Sequence, residues 1–312
     1  MTERLITHLR HVDLAVPDYA TQREFYRDTW GLSETETDSG LSFFAAEGST
    51  ENYVVRLRES ADKRIDLIGI GAASRADVDG LAAKLGSAGV QLVNEPGALD
   101  TPGGGYGFRF FDIDGVCLEV SCDVAERTAR DLEPLEGIPK ALSHVVLNSS
   151  NPEATVAWYL EHLGVAISDQ LTMPGMGDLM WFLRCNAWHH SLAVVRGPHS
   201  SLHHLSFEMQ DVESNLFGTG RVMRAGVERI WGPGKHYAGN NMFNYFIDPS
   251  GNTMEYTTEL ETVDETSWEA GSYSIAEPMV ADQWGTANPM GPDVAQKSFN
   301  DPDRGLFVAP PV

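Results

Sequence analysis

Of the ten histidines in the chain, eight lie between His144 and His236. His144 sits in the apolar alternation LSHVVL and His204 in LHHLSFEM, both strand-like, and Glu255 sits in a third such segment, NTMEY. Two neutral imidazoles and one carboxylate on adjacent strands can converge on a single metal ion. That donor set is the facial triad of non-haem Fe(II) oxygenases, which leaves positions open for substrate and O₂. A structural reading stands beside it. A strand histidine can belong to a core, and Glu255 can be a plain exposed strand residue. Spacing alone leaves both open.

The elements that must position these residues come from a duplication. RHVDLAVPDYATQREFYRDTWGLS begins near residue 10, and SHVVLNSSNPEATVAWYLEHLGVA begins at residue 143. His11 and His144 are each followed fifteen residues later by a Tyr preceded by an aromatic (Phe25-Tyr26, Trp158-Tyr159) and twenty residues later by a Gly (Gly31, Gly164). FRFFDIDGVCLEV closes the first copy and NYFIDPSGNTMEY the second, so Asp112, Gly115 and Glu119 match Asp248, Gly251 and Glu255. Asp-x-x-Gly is turn chemistry, and each copy is expected to end in a hairpin whose second strand carries the Glu. Each copy reads as strand, helix, then several strands, repeated internally. Segment 152–163 starts with Pro152 and spaces Val156, Tyr159, Leu160 and Leu163 as one helical face. Counting back from the landmarks Asp77-Val78 and Asp211-Val212 sets Ile70 opposite His204. Ile70 cannot bind a metal, so the first copy is expected to have lost its site. Residues 101–108, TPGGGYGF, lack a Lys-Ser/Thr and read as a turn. The organisation expected is 1–130 as a non-catalytic domain, a charged linker over 123–140, 139–262 as the metal-binding domain, and a tail over 263–312. Trp268 and Trp284 in that polar tail suggest that it packs, as a cover over a site mouth.

Composition removes other classes. Lys plus Arg is 22 against 45 Asp plus Glu, a formal charge of −23. So acidic a chain is expected to bind neither nucleic acid nor a membrane surface. A hydrophobic content of 42% with seven Trp argues for a folded chain. No 18-residue apolar run offers a membrane span, and MTERLITHLRHVD does not read as a signal peptide. Cys117, Cys122 and Cys185 form no disulfide framework and lack paired zinc spacing.

LSHVVL, WHHSLAVV, LHHLSFEM and GKHYAGNNMFNYFIDPSGNTMEY, with the inactive first copy, resemble the two-domain extradiol ring-cleaving dioxygenases of the vicinal oxygen chelate superfamily over about residues 5–260. The resemblance implies an α+β fold of four βαβββ modules paired into two domains. It implies Fe(II), or occasionally Mn(II), held by His144, His204 and Glu255. It also implies catalytic roles for His190, on an HHSLAVV-like strand, for His236 in GKHY, and for Tyr245, whose place in the first copy is taken by Arg109. His189 and His203, each adjacent in a strand to a site histidine, are expected to face away. His162 and His199 are expected on the surface. Met173, Met176, Trp181, Phe182 and Trp188 are expected near the cavity. The implied reaction is cleavage of a substituted catechol beside its diol by O₂, giving a 2-hydroxymuconic semialdehyde-type product. The implied setting is aromatic catabolism in a cytoplasmic homo-oligomer. A hydroquinone-cleaving relative, a glyoxalase-like isomerase and a metal-free aromatic-binding protein are the alternatives.

Overall fold

The computed structural model describes residues 5–289 and 291–311. Met1–Arg4, at the start of the expected first domain, and Met290 and Val312 of the tail lie outside the described residues. The chain forms the four expected βαβββ modules. The first holds β1 (His8–Val16), α1 (Tyr19–Glu24), which runs on as a π-helical segment over Phe25–Trp30, β2 (Ser33–Asp38), β3 (Leu41–Ala45) and β4 (Val55–Glu59). The second holds β5 (Arg64–Gly71), α2 (Arg75–Ser87), β6 (Gly97–Ala98), β7 (Tyr106–Phe111) and β8 (Cys117–Cys122). The third holds β9 (Ala141–Ser149), α3 (Pro152–Leu163), β10 (Ala166–Met173), β11 (Gly177–Arg184) and β12 (Leu192–Arg196). The fourth holds β13 (Ser201–Glu208), α4 (Val212–Arg224), β14 (Arg229–Lys235), β15 (Met242–Ile247) and β16 (Thr253–Thr258). The tail adds β17 (Gly271–Ser274), α5 (Pro278–Ala281) and α6 (Pro292–Phe299).

Modules pair into sheets. The first runs β2-β3-β4-β1-β5-β8-β7-β6, and the second runs β14-β15-β16-β13-β9-β12-β11-β10-β17. At each centre two module-opening strands pair antiparallel, β1 with β5 and β9 with β13. Alternation then sorts the second sheet into two faces. Val145, Leu147, Leu192, Leu205, Phe207, Met254 and Tyr256 join the core that the helices cover. On the other face, Val146, Phe182, Ala193 and Val195 form one apolar cluster, and Trp231, Phe243 and Tyr245 form another. His144, His204 and Glu255 lie between these clusters.

The helix read at 152–163 is α3. Pro152 opens it, left-handed Gly164 closes it, and Val156, Tyr159 and Leu163 are its buried face, while Leu160 stays exposed. The two Asp-x-x-Gly turns do more than reverse the chain. Asp112 accepts the Tyr159 hydroxyl of α3 at 2.8 Å, and Asp248 accepts Gln22 Nε2 of α1 at 2.7 Å. Each domain's last hairpin therefore docks on the first helix of the other. Trp30 completes the contact. It is fully buried, stacks on Tyr256 at 3.9 Å, and its carbonyl accepts the Tyr256 hydroxyl and Arg221 Nη2.

The tail is packed rather than loose. β17 adds to β10, and Ser298 and Phe299 of α6 give their carbonyls to Asn148 Nδ2. The end then crosses to the first domain, where Ile65 N donates to Asp303 and Arg56 to the Pro311 carbonyl. No helix among the described residues is long and apolar enough to cross a membrane.

Burial, with Asp114 nearby, pushes Asp112 up to about 7, although Tyr159 and two backbone amides favour its anion. A carboxyl raised in the folded state binds more protons folded than unfolded between about pH 4 and 7. Stability from this group is therefore lost as pH rises through that window, by up to about 4 kcal/mol. Asn keeps its oxygen for the Asp114 and Val116 amides and turns its N–H to the Tyr159 hydroxyl oxygen, so Asp112→Asn should flatten the fall of Tm between pH 4 and 7. A variant with the wild-type pH dependence would remove Asp112 as its source.

Candidate metal centre

Register makes the site. His144 on β9 pairs with Ser206 on β13, and Ser206 pairs with Glu255 on β16. His204 lies two residues back on β13. A bulge between Leu202 and His204 adjusts its place against β9. His144 Nε2, His204 Nε2 and Glu255 Oε2 converge. The Nε2 atoms lie 3.4 Å apart, and Oε2 is 3.0 Å from His144 Nε2 and 3.4 Å from His204 Nε2. All three residues are buried, and among the described residues they are the group of side chains placed to share an ion.

These donors fit a metal better than they fit each other. Glu255 has no exposed surface, and neither of its oxygens receives a hydrogen bond. Burial alone would push this carboxyl up, but His144 and His204 outweigh it and hold Glu255 well below the ordinary carboxylate range. Burial lowers His204 more than Glu255 raises it, so that imidazole is neutral and its nitrogen is free to ligate. The outward nitrogens are tied back as metal-binding histidines require. His144 Nδ1 lies 3.1 Å from Ser143 Oγ, and His204 Nδ1 lies 2.7 Å from His203 Nδ1.

Around the triad stand the three residues that the resemblance implied. The His190 ring is 4.2 Å from that of His144. Burial, then the neighbouring histidines, hold its pKa well below the ordinary value. Tyr245 pairs with Glu255 across β15 and β16, and its hydroxyl lies 3.1 Å from His236 Nε2. Burial and then Glu255 raise the phenol well above its ordinary range, so it stays protonated. His236 Nδ1 donates to the Ala281 carbonyl of the tail, and burial lowers its pKa to about 4.

Other expectations need correction. His189 and His190 lie in an irregular turn before β12, so strand alternation does not separate them. His189 is fully buried beside the site, with Nδ1 2.9 Å from His190 Nδ1. The bulge likewise keeps His203 beside His204. Of the residues expected at the cavity, Phe182 reaches His190, with ring centres 4.9 Å apart. Trp181 points into the main core, Met176 is exposed, and Trp188 lines a cleft between the domains.

In the first copy the same register places His11, Gly69 and Glu119 in one row. Two residues back from Gly69, the residue matching His204 is Leu67, not Ile70. The Asp-Val pairs misled because Asp211 caps α4 whereas Ser74 caps α2, with Asp77 three residues further on. The conclusion drawn from Ile70 holds for Leu67, which also has no donor. An ion network fills this copy. Arg109 Nε and Nη2 donate to Glu119 Oε2 at 2.9 and 2.8 Å, His11 Nδ1 lies 2.8 Å from Asp13, and Arg56 Nη1 lies 3.0 Å from Asp13. Burial opposes charge on His11, but Asp13 and Glu119 carry its pKa up to about 9. The ring fits because Gly69 has no side chain, since a Cβ there would stand 2.1 Å from His11 Nε2.

Removing the orphaned carboxylate tests the site directly. Glu255→Ala should keep its fold by circular dichroism and lose stoichiometric metal after loading and desalting, as read by elemental analysis. A variant that still holds one metal per chain would show that Glu255 is not a ligand.

Comparison with known proteins follows the same lines. A profile described as Glyoxalase/Bleomycin resistance protein/Dioxygenase superfamily matches residues 8–120 and 141–256, one match per domain. Metapyrocatechase 2 of Cupriavidus necator is 27% identical over 307 residues, 92% of this chain and 89% of that one. The crystal structure of the Mn(II)-bound glyoxalase from Novosphingobium aromaticivorans is 42% identical, covers 98% of both chains and superposes with a TM-score of 0.91. Homoprotocatechuate 2,3-dioxygenase from Arthrobacter globiformis shares the fold, at 21% identity over 96% of this chain and 92% of that one, with a TM-score of 0.84. The chain belongs to the Glyoxalase/Bleomycin resistance protein/Dioxygenase superfamily and is an enzyme of the extradiol-dioxygenase type within it.

Proposed function

We propose that the protein cleaves a substituted catechol beside its diol with O₂, at an Fe(II) held by His144, His204 and Glu255, and releases a 2-hydroxymuconic semialdehyde-type product. The observation that carries this reading is the buried, hydrogen-bond-free carboxylate of Glu255 facing two imidazole nitrogens, with His190, His236 and Tyr245 around them. The metal, when bound, lowers the pKa of a catechol hydroxyl and brings ring and O₂ together. The donor set suits Mn(II) as well, the ion in the Novosphingobium structure.

The chain's own groups divide the remaining work. Tyr245, kept protonated, donates a hydrogen bond to the substrate oxygen that has lost its proton. In the free protein that single proton points to His236 Nε2, bare because Nδ1–H is given to the Ala281 carbonyl, and it turns to the substrate oxygen when the ring binds. His190 is neutral in its buried place, so its Nε2 can take the proton of the second hydroxyl and return it later. Phe182 and the aliphatic cluster of Val146, Ala193 and Val195 line one side of the triad, and Trp231 and Phe243 line the other. Such walls suit an apolar, uncharged ring substituent. We assign the first domain no chemistry, because Arg109 takes the place of Tyr245 and Leu67 that of His204. We assign the tail the role of cover, because the Ala281 carbonyl reaches His236. The three cysteines are free thiols, which suits the cytoplasm.

A glyoxalase-like isomerisation is the second reading, favoured by the 42% identity to the Novosphingobium glyoxalase. The donor set weighs against it, because such isomerases more often take four ligands from paired modules. The experiment is aerobic turnover of anaerobically Fe(II)-loaded protein with catechol, methylcatechols, 2,3-dihydroxybiphenyl, a carboxylated catechol, a hydroquinone and a 2-oxoaldehyde–thiol adduct. We expect one O₂ consumed per ring, a yellow product, preference for uncharged rings, and a loss of about a hundredfold in kcat for His190→Ala. Turnover of the adduct without O₂ uptake would replace this reading with isomerisation.

A further inference from the structure

His190 is not positioned by its own backbone alone. Its Nδ1 meets His189 Nδ1 at 2.9 Å, and His189 Nε2 meets Asp169 Oδ2 of β10 at 2.9 Å. The other carboxylate oxygen of Asp169 is taken, since Oδ1 accepts the Gly271 backbone amide of β17 at 2.7 Å. Asp169 and His189 are both buried, at 3% and 0% exposure. The His189 ring is held between Phe182, at 5.5 Å, and Trp268, at 5.7 Å. Trp268 is itself anchored by donating to the Ser168 carbonyl at 2.8 Å.

We infer that Asp169 and His189 form a positioning relay that fixes the tautomer of His190. The logic is one of donors and acceptors. An ionised carboxylate only accepts, so His189 presents an Nε2–H to Asp169. With one ring proton, placed on Nε2, His189 has a bare Nδ1, which accepts from a His190 Nδ1–H. That leaves His190 Nε2 bare, the form that can take a substrate proton. His189 touches no substrate in this scheme and acts through His190. The inference rests on the reading of His190 as the proton acceptor of the site.

Asp169→Asn has a specific consequence. The Gly271 amide still needs the oxygen, so the Asn amide turns its N–H toward His189 Nε2. That nitrogen must then be bare, His189 carries its proton on Nδ1, and His190 is left as the Nε2–H tautomer. Gln at 189 does the opposite. It offers an amide N–H to Asp169 and a carbonyl to His190, and so preserves the wild-type tautomer.

The test is two-bond ¹H–¹⁵N correlation on metal-free, ¹⁵N-histidine-labelled full-length protein, which reads tautomers without metal or turnover. The expected result is His190 with Nδ1–H in the wild type and in His189→Gln, and with Nε2–H in Asp169→Asn. In Fe(II)-loaded protein, kcat should fall about a hundredfold in Asp169→Asn, with KM and metal content unchanged, and should largely recover in His189→Gln. An Nε2–H on His190 in the wild type, or an unchanged His190 in Asp169→Asn, would overturn the relay. If Asp169→Asn does not fold, His189→Phe against His189→Gln makes the same comparison, and identical His190 tautomers in the two would overturn it. If no ring in the substrate panel is turned over, the spectra still decide the relay, and the proposed reaction fails separately.

Discussion

A carboxylate with no exposed surface and no hydrogen-bond donor dominates the second domain. Burying an unpaired charge costs several kcal/mol in a real protein. Glu255 is held in that state by the register of three strands, and the fold cannot relieve it by turning the side chain to water. The groups facing it are chosen accordingly. Two imidazoles aim their Nε2 atoms at it, and a phenol stands by in its neutral form. None of them neutralises the charge as a guanidinium would. The arrangement suits a cation that arrives from outside, and the binding free energy of that cation contributes to the stability of the loaded protein.

The first domain faces the same constraint and resolves it with an ion pair from its own sequence. Glu119 occupies the same row, but Arg109 stands where Tyr245 does and donates two hydrogen bonds to one of its oxygens. His11 shares Asp13 with Arg56 and carries a proton that His204, its charge disfavoured by burial, does not hold. One copy keeps its carboxylate for an external cation and the other supplies the cation from its own sequence. Site and scaffold thus differ by few residues on one framework.

Much of this was legible before any coordinates. The duplication, the hairpins carrying Glu119 and Glu255 and the helix at 152–163 follow from spacing, because helical and strand periods translate directly into faces, whereas spacing left the triad open beside a core reading and the family resemblance singled it out. What misled was irregular backbone. His189 and His190 lie in a turn, so the rule that neighbours face opposite ways does not apply to them. At His203 and His204 the rule holds for a regular strand, and a bulge suspends it. Ile70 was matched to His204 because two Asp-Val pairs look alike in sequence, although one opens its helix as the cap and the other lies inside it. Trp181 and Phe182 are equally suited to line a cavity by composition, and only the register of β11 assigns one to the core and the other to the site. A sequence shows period well and phase poorly wherever a bulge or a cap can shift the count by one or more residues.

The tail draws the two domains into one argument. Its Ala281 carbonyl accepts from His236 Nδ1, which leaves His236 Nε2 as an acceptor for the Tyr245 hydroxyl. Further on, Pro311 gives its carbonyl to Arg56, whose other nitrogen is bound to Asp13 in the ion network of the first copy. A segment rich in Pro, Gly and polar residues buries little apolar surface, so it cannot hold such a path by hydrophobic packing alone. It is held by backbone groups that find partners on rigid strands at both ends. The first copy, with Leu67 where the second has His204, holds a buried guanidinium with a donor to spare, and that donor fixes the end of the chain whose earlier part orients a histidine of the metal centre.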